Sequence, residues 1–227
     1  MPSLKALKQR IHSVQSTRKI TAAMKMVATS YYRRYQSPLS SVRSFYNALE
    51  TCVGLTLPEL PLEESLPPLL VGRPNPKQHL IVAIGSGRGL CGSFNGRLLT
   101  FILEKTQQYQ QNNQDVSLLC LGPRLFSLTT RLDAFQERTL MSVDYKNLNG
   151  FSSALSRSLQ TLFAQKQIDG CSLLYSRHVS ALRYEPCEIR LFPLALNQIS
   201  SSGEKKVSPI FGVEPDPVSL LKDLAEK

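Results

Sequence analysis

Between Ser3 and Cys52 the chain has no glycine, a single proline at Pro38, and no acidic residue before Glu50. Apolar side chains recur at Leu4, Leu7, Ile11 and Val14, in steps of three and four. The stripe reads on through Ile20, Met24, Val27, Tyr31 and Tyr35, with basic residues on the other faces. This spacing predicts a long α-helix with a narrow apolar seam, and Ser3 is a suitable N-cap. About 50 residues at 1.5 Å each make a helix roughly 75 Å long. A small domain needs no such length, so the helix is expected to seek a partner, either another helix or the interior of another protein. Folding back on its own domain is the alternative, against which stand the narrow seam and the wide basic faces. Pro38 removes one helical hydrogen bond and is expected to bend or interrupt the helix.

Charge sets this segment apart from the rest. Nine Lys and Arg residues precede Glu50, and the whole chain carries 27 basic and 17 acidic residues for a net charge of +10. The remaining positions hold eighteen basic against seventeen acidic residues. The basic character therefore belongs to the N-terminal segment, which suits an acidic or anionic partner, while the rest reads as a near-neutral domain. Cys52, Cys91, Cys120, Cys171 and Cys187 are odd in number, widely spaced and form no C-x-x-C pair. That pattern fits a reducing compartment, with Cys120 and Cys171 as small core residues in apolar runs. No run approaches the ~20 apolar residues of a membrane span. The acid-free, Arg-rich N-terminus also has the composition of a mitochondrial transit peptide.

After this helix, a Pro- and Leu-rich stretch to about residue 78 reads as a linker with little regular structure. The rhythm then changes. Residues 79–85 form a short apolar run ending in glycine, read as a buried strand, and 93–111 have helical spacing. A second strand is read at 115–122, a helix from Ala154 to Lys166, a third strand at 171–177 and a fourth at 187–194. Strands alternating with helices predict a parallel or mostly parallel sheet covered on both faces. The expected organisation is a long basic helix over 1–56, a linker over 57–78, and a three-layer αβα, Rossmann-like domain over 79–196. A polar loop and the start of a helix follow over 197–227.

The turn Gly87-Arg88-Gly89-Leu90-Cys91-Gly92 matches G-x-G-x-x-G and lies between a predicted strand and a predicted helix, the setting of a dinucleotide-binding turn. The acidic residue that would hold a ribose at the end of the second strand is replaced by Gly122-Pro123-Arg124, however, and no Gly-Lys-Ser or Gly-Lys-Thr marks a P-loop. The turn is therefore read as structural, with NAD or NADP binding as the enzyme-class alternative. His12, His79 and His178 lie on three separate elements with no Cys or carboxylate at ligand spacing. Ser86 and Ser93 have no His/Asp pair placed to activate them. Cys91, near Arg88, reads as a structural thiol rather than a reactive one. Tyr31, Tyr32 and Tyr35 interleaved with Arg33 and Arg34 would suit nucleic-acid stacking and phosphate contact. No nucleic-acid module accompanies them, and they read instead as an extension of the contact stripe.

The residues from Ser3 to Ser30 closely resemble the N-terminal helix of ATP synthase gamma subunits. The match runs through Arg10-Ile11, Ser13-Val14-Gln15, Thr17, Lys19-Ile20-Thr21 and Ala23-Met24-Lys25-Met26-Val27-Ala28, and Arg33-Arg34 and Gln36 extend it. Ile84 to Asn95 resembles that family's signature, in which Arg-Gly-Leu-Cys-Gly precedes Phe-Asn. Residues 175–194 and 211–224 resemble later family segments more loosely. The chain departs from the family at Gly87, where Asp is usual, at Ser93, where Gly is usual, and at Tyr31, Tyr32 and Pro38 within the helix.

The resemblance implies a central-stalk rotor subunit of a proton-translocating ATP synthase, without cofactor, metal or active site of its own. Its long helix would pair with a C-terminal helix as an antiparallel coiled coil inside the ring of alpha and beta subunits. Its domain would contact the epsilon subunit and the c-ring. It would thereby couple c-ring rotation to conformational cycling of the beta subunits, or the reverse during hydrolysis. On this reading Lys19, Ile20, Met24, Lys25, Met26 and Arg33 contact the catalytic ring. Arg88, Gly89, Leu90 and Asn95 form the domain's structural loop and lower contacts. The implied location is peripheral, on the cytoplasmic face of a bacterial inner membrane, with the mitochondrial matrix face as the alternative. The family continues beyond the position of Leu224 into a long return helix, whereas this sequence stops at Lys227. The expectation is thus of a fragment of such a subunit, a truncated member without that helix, or one half of a split subunit whose helix is supplied by another chain.

Overall fold

The computed structural model describes residues 3–56, 68–180 and 183–193. Two compact units divide the chain, Met1–Leu55 and Thr56–Lys227.

The first unit is built on α1, Leu4–Thr56, a helix of 53 residues, about 80 Å long at 1.5 Å per residue. Ser3 caps it as the sequence predicts, its hydroxyl accepting from the Ala6 N–H at 3.3 Å. Thr17, Thr21, Thr29, Ser44 and Thr51 donate their hydroxyls to the carbonyls four residues earlier, so these polar groups are satisfied within the helix. Two expectations are modified. The helix runs unbroken through Pro38, which leaves the Arg34 carbonyl without its usual donor. The apolar stripe also changes side. The step from Val14 to Ile20 is six residues, which turns the face by about 240° at 3.6 residues per turn. Leu4, Leu7, Ile11 and Val14 therefore form one stripe, and Thr17, Ile20, Met24, Val27 and Tyr31 form another.

In the second unit a five-stranded sheet has the order β3-β2-β1-β4-β5. Its elements are α2 (Pro68–Val71), β1 (Gln78–Ile84), α3 (Phe94–Gln111), β2 (Asp115–Leu121), α4 (Pro123–Thr129), β3 (Arg138–Leu140), α5 (Leu148–Ala164), β4 (Gly170–Ser180) and β5 (Arg183–Phe192). β1 pairs in parallel with β2 and β4, and β2 with β3. β5 turns back antiparallel along β4. The central strand sorts its side chains with period two. Ile81 and Ala83 pack with Leu98 and Ile102 of α3 and Leu125 of α4, while Leu80 and Val82 pack with Leu159 and Phe163 of α5. The three-layer αβα arrangement predicted from the sequence is present.

Several details differ from the sequence reading. α4 and β3 add to the predicted elements. Pro123 looks like a breaker but occupies the first turn of α4, where its missing N–H costs nothing. β3, at three residues, is too short to leave a pattern. α5 starts at Leu148 rather than Ala154, capped by Asn147 Oδ1 accepting from the Gly150 N–H at 2.9 Å. The later part of the Pro-rich stretch is not structureless, because Pro68–Val71 is helical and Leu70 is buried. The remainder of that stretch up to residue 67, and the loop and helix start read over 197–227, lie outside the described residues.

Candidate functional site

On α1, every residue from Ser3 to Ala48 whose side chain is described is exposed. Ile20 keeps 59% of its surface accessible. Burial of such a side chain contributes about 1.5–3 kcal/mol, so each half-exposed seam residue leaves on the order of 1 kcal/mol to be gained from a partner. The expected contact residues divide between two faces. Ile20 and Met24 lie on the second apolar stripe. Lys25, Met26 and Arg33 share a shallow depression with Ala22, Thr29 and Ser30, roughly opposite that stripe at 100° per residue. Lys19 projects beside this second face. Small residues at 22, 29 and 30 open the depression, and the long side chains of Lys25, Met26 and Arg33 wall it.

In the second unit the glycine-rich turn follows β1, at the carboxyl end of the central strand. Its interior is filled by the chain itself. Asn95 is only 7% exposed; its Oδ1 accepts from the Ser86 N–H at 3.0 Å, and its Nδ2 donates to Ser86 Oγ at 2.8 Å and Cys91 Sγ at 3.4 Å. Ser86 Oγ in turn donates to the Arg88 carbonyl at 2.7 Å. The Ser86 N–H, at the point where a strand hands over to a phosphate-cradling turn, is thus committed to a side chain. Nearby, β1 and β2 end in close backbone contact: a Cβ at Gly122 would lie 2.7 Å from the Gly85 carbonyl. Gly92 supplies the φ of +57° that closes the turn.

The expected residues Arg88, Gly89 and Leu90 come together at the tip of this turn, and all three are exposed. Leu90 is 87% exposed with φ of +59°, a left-handed conformation that costs a non-glycine residue on the order of 1 kcal/mol. Asn95 is brought to the same turn but inside it, so it holds the loop instead of offering surface. Arg124, about 3.8 Å from where a Gly89 side chain would begin, and Tyr145, whose hydroxyl faces Gly87, flank the tip. Neither was legible in the sequence, since each is contributed by a later connection.

A second buried polar group joins α3 to β4 and β5. His79 stacks on Tyr109 with ring centroids 3.7 Å apart, and its Nε2 is 3.1 Å from Ser172 Oγ. The Tyr109 hydroxyl lies 2.9 Å from Ser172 Oγ and donates to Glu188, which also pairs with Lys105 at 2.8 Å. Burial, helped by the Arg190 charge, pushes His79 down to about 4, so it is neutral near pH 7. Burial opposes ionisation of Glu188, yet hydrogen bonds from Lys105, Tyr109 and Ser172 hold it below the usual carboxylate range. Cys120 and Cys171 are free thiols pushed up by burial to about 11 and about 12, as expected of core residues. Among the described residues no group of three or more His, Cys, Asp or Glu could hold a metal ion, and no helix is long and apolar enough to cross a membrane.

These features define the class as an α/β protein that carries a long helix with exposed apolar side chains. Residues 3–227 match the family model described as ATP synthase. The ATP synthase gamma chain of Bartonella bacilliformis is 32% identical over 237 residues, covering 99% of this chain and 78% of that protein. That of Sinorhizobium fredii is 30% identical over 228 residues, covering 99% and 77%. In fold, the chain is similar to a protein in the central stalk and c-ring structure of the Tetrahymena thermophila mitochondrial ATP synthase, with a TM-score of 0.54 and 24% identity over 91% of this chain and 86% of that one. The chain belongs to the ATP synthase gamma family.

Proposed function

We propose that this chain is a rotor subunit that couples c-ring rotation to conformational cycling of the catalytic beta subunits, and that it has no active site of its own. The observation that carries this reading is α1, a helix of 53 residues that exposes apolar stripes on a basic, acid-free surface until Glu50. A helix with that surface suits a socket lined by acidic groups. Its two faces give it room for two partners at once: a helix against Ile20, Met24 and Val27, and the catalytic ring against Lys19, Lys25, Met26 and Arg33. Flexible methionines at 24 and 26 fit surfaces that change shape during a cycle. In the second unit, the exposed tip Arg88-Gly89-Leu90 is the proposed contact with neighbouring subunits, held from within by Asn95. Partners are the alpha, beta and epsilon subunits and the c-ring, and the chain is peripheral to the membrane on its cytoplasmic face. The dinucleotide reading is disfavoured because Asn95 occupies the turn.

Native mass spectrometry of the tagged chain, purified from its own membranes in mild detergent, tests the assignment. Co-purification with alpha, beta and epsilon subunits is expected. A chain that emerges alone and intact would overturn it.

A further inference from the structure

Ahead of β1, α2 seats Leu70 in the sheet unit, and the segment Gly72–Lys77 that follows is fastened through the side chains of Arg73 and Asp169. Arg73 lays its guanidinium over the Phe163 ring, 4.2 Å from the centroid. Its Nη1 donates to the Ile168 carbonyl at 2.9 Å and lies 3.3 Å from Asp169 Oδ1, and its Nη2 donates to the Phe163 carbonyl. The other carboxylate oxygen of Asp169 accepts from the backbone N–H groups of Lys77 at 2.8 Å and Gln78 at 3.1 Å. One residue before Arg73, Gly72 has φ of +88°, and a Cβ there would come within 3.1 Å of Pro193, the residue after β5. A weaker tie runs from Gln114 Nε2 to the Pro76 carbonyl at 3.3 Å. The partners of Arg73 thus lie 90 to 96 positions later, at the last turn of α5 and the start of β4.

A simple covalent lead into a strand has no use for so many ties. Without Arg73 and Asp169, tension that passes the buried Leu70 of α2 falls directly on the outermost ladder bond, Asp115 N–H to the Lys77 carbonyl. The strand would then open one hydrogen bond at a time, as ends of elements do. With the clamp, the same tension is shared at once among α5, β4 and the stacked Phe163. An arginine is suited to this, because its planar fork reaches two carbonyls and a carboxylate while its face stacks on the ring. Lysine would keep the charge and lose the fork.

We propose that the Arg73–Asp169 clamp is the anchor through which force on the chain ahead of β1 enters the sheet, which makes Arg73 a positioning residue for rotary coupling. This inference rests on the rotor reading above. The test uses the whole complex in inverted membrane vesicles, comparing the native chain with Arg73→Ala, Arg73→Lys and Asp169→Asn. ATP hydrolysis and subunit content are expected to stay unchanged. ATP-driven proton uptake against an opposing gradient should fall several-fold in Arg73→Ala and Asp169→Asn, and less in Arg73→Lys. In the same samples the Lys77 and Gln78 amides should exchange hydrogen about tenfold faster, while those of Ile81 and Val82 hold. Variants that assemble, exchange faster at 77 and 78, and still pump like the native complex would sink the clamp while leaving the rotor reading intact. Unchanged exchange at those amides in Arg73→Ala would also sink it. If Arg73→Ala does not assemble, Arg73→Lys and Asp169→Asn carry the same comparison. If the native chain itself brings down no catalytic subunits, the rotor reading fails and the inference falls with it.

Discussion

The two units spend the same kinds of residue in opposite ways. In the sheet unit Ile81, Val82, Leu98, Ile102 and Leu174 are wholly buried, and the buried polar side chains of His79 and Thr106 are hydrogen-bonded. On α1, Ile11, Ile20, Val27 and Leu39 stand about half in water, although they belong to the same apolar class. Sequence hydrophobicity therefore does not say where stability resides. In the sheet unit the apolar groups have already found their partners, and removing one leaves a cavity. On α1 the partners are not within the helix, so truncating a seam residue removes little from the free chain. What it removes is affinity for whatever covers the seam.

The contrast can be broken most sharply in the core. Ile102→Ala should destabilise the sheet unit by about 3 kcal/mol, read as a lower urea midpoint with an unchanged slope. A loss below 1 kcal/mol would mean that this core is no better packed than the helix surface. Acidification should act on the same unit nearly as strongly. His79 is depressed to about 4 in the folded state, so between pH 6.5 and 4 the unfolded chain takes up a proton that the folded chain refuses. His79 alone should lower stability across that window by up to about 3 kcal/mol, and the depressed Glu188 should carry the loss on at lower pH. His79→Gln should flatten this dependence, and urea titrations at a series of pH values decide the matter.

Asn95→Ala should cost about 1–3 kcal/mol, since it removes the acceptor of the part-buried Ser86 N–H. Faster amide exchange at Ser86 would accompany the loss, and an unshifted melting curve would show that the turn is not held from within. At the tip of the same turn, Leu90→Gly should stabilise the free chain by roughly 0.5–1 kcal/mol by relieving the left-handed leucine, while weakening association if the tip is a contact. Smallest of all, Ile20→Ala should move the stability of the free chain by less than about 0.5 kcal/mol. If Ile20→Ala proves as costly as Ile102→Ala, the seam is covered within the free chain and the comparison collapses.

Local chemistry was legible and distant chemistry was not. The long helix announces itself by the absence of glycine between Ser3 and Cys52, the Ser3 cap and a three-four spacing. β1, β2 and α3 follow from apolar runs closed by glycine or amide residues. Arg124 and Tyr145 gave no signal, because each meets the turn through chain segments that are remote in sequence. His79 looked isolated for the same reason, since Tyr109, Ser172 and Glu188 approach it from three other elements. The G-x-G-x-x-G pattern was ambiguous until Asn95 was seen filling it. The six-residue step from Val14 to Ile20 was enough to split one apparent seam into two, which periodicity read by eye did not separate.

By itself the sequence determined the long basic helix, the alternation that requires a covered parallel sheet, and membership in the ATP synthase gamma family, since all three are written in neighbouring residues. Only the tertiary structure decided that β5 runs antiparallel, that the glycine turn is occupied by Asn95, and that Arg73 grips α5 and Asp169. Those depend on which surfaces meet when the chain closes on itself, and burial and hydrogen-bond partners exist only once distant segments have met.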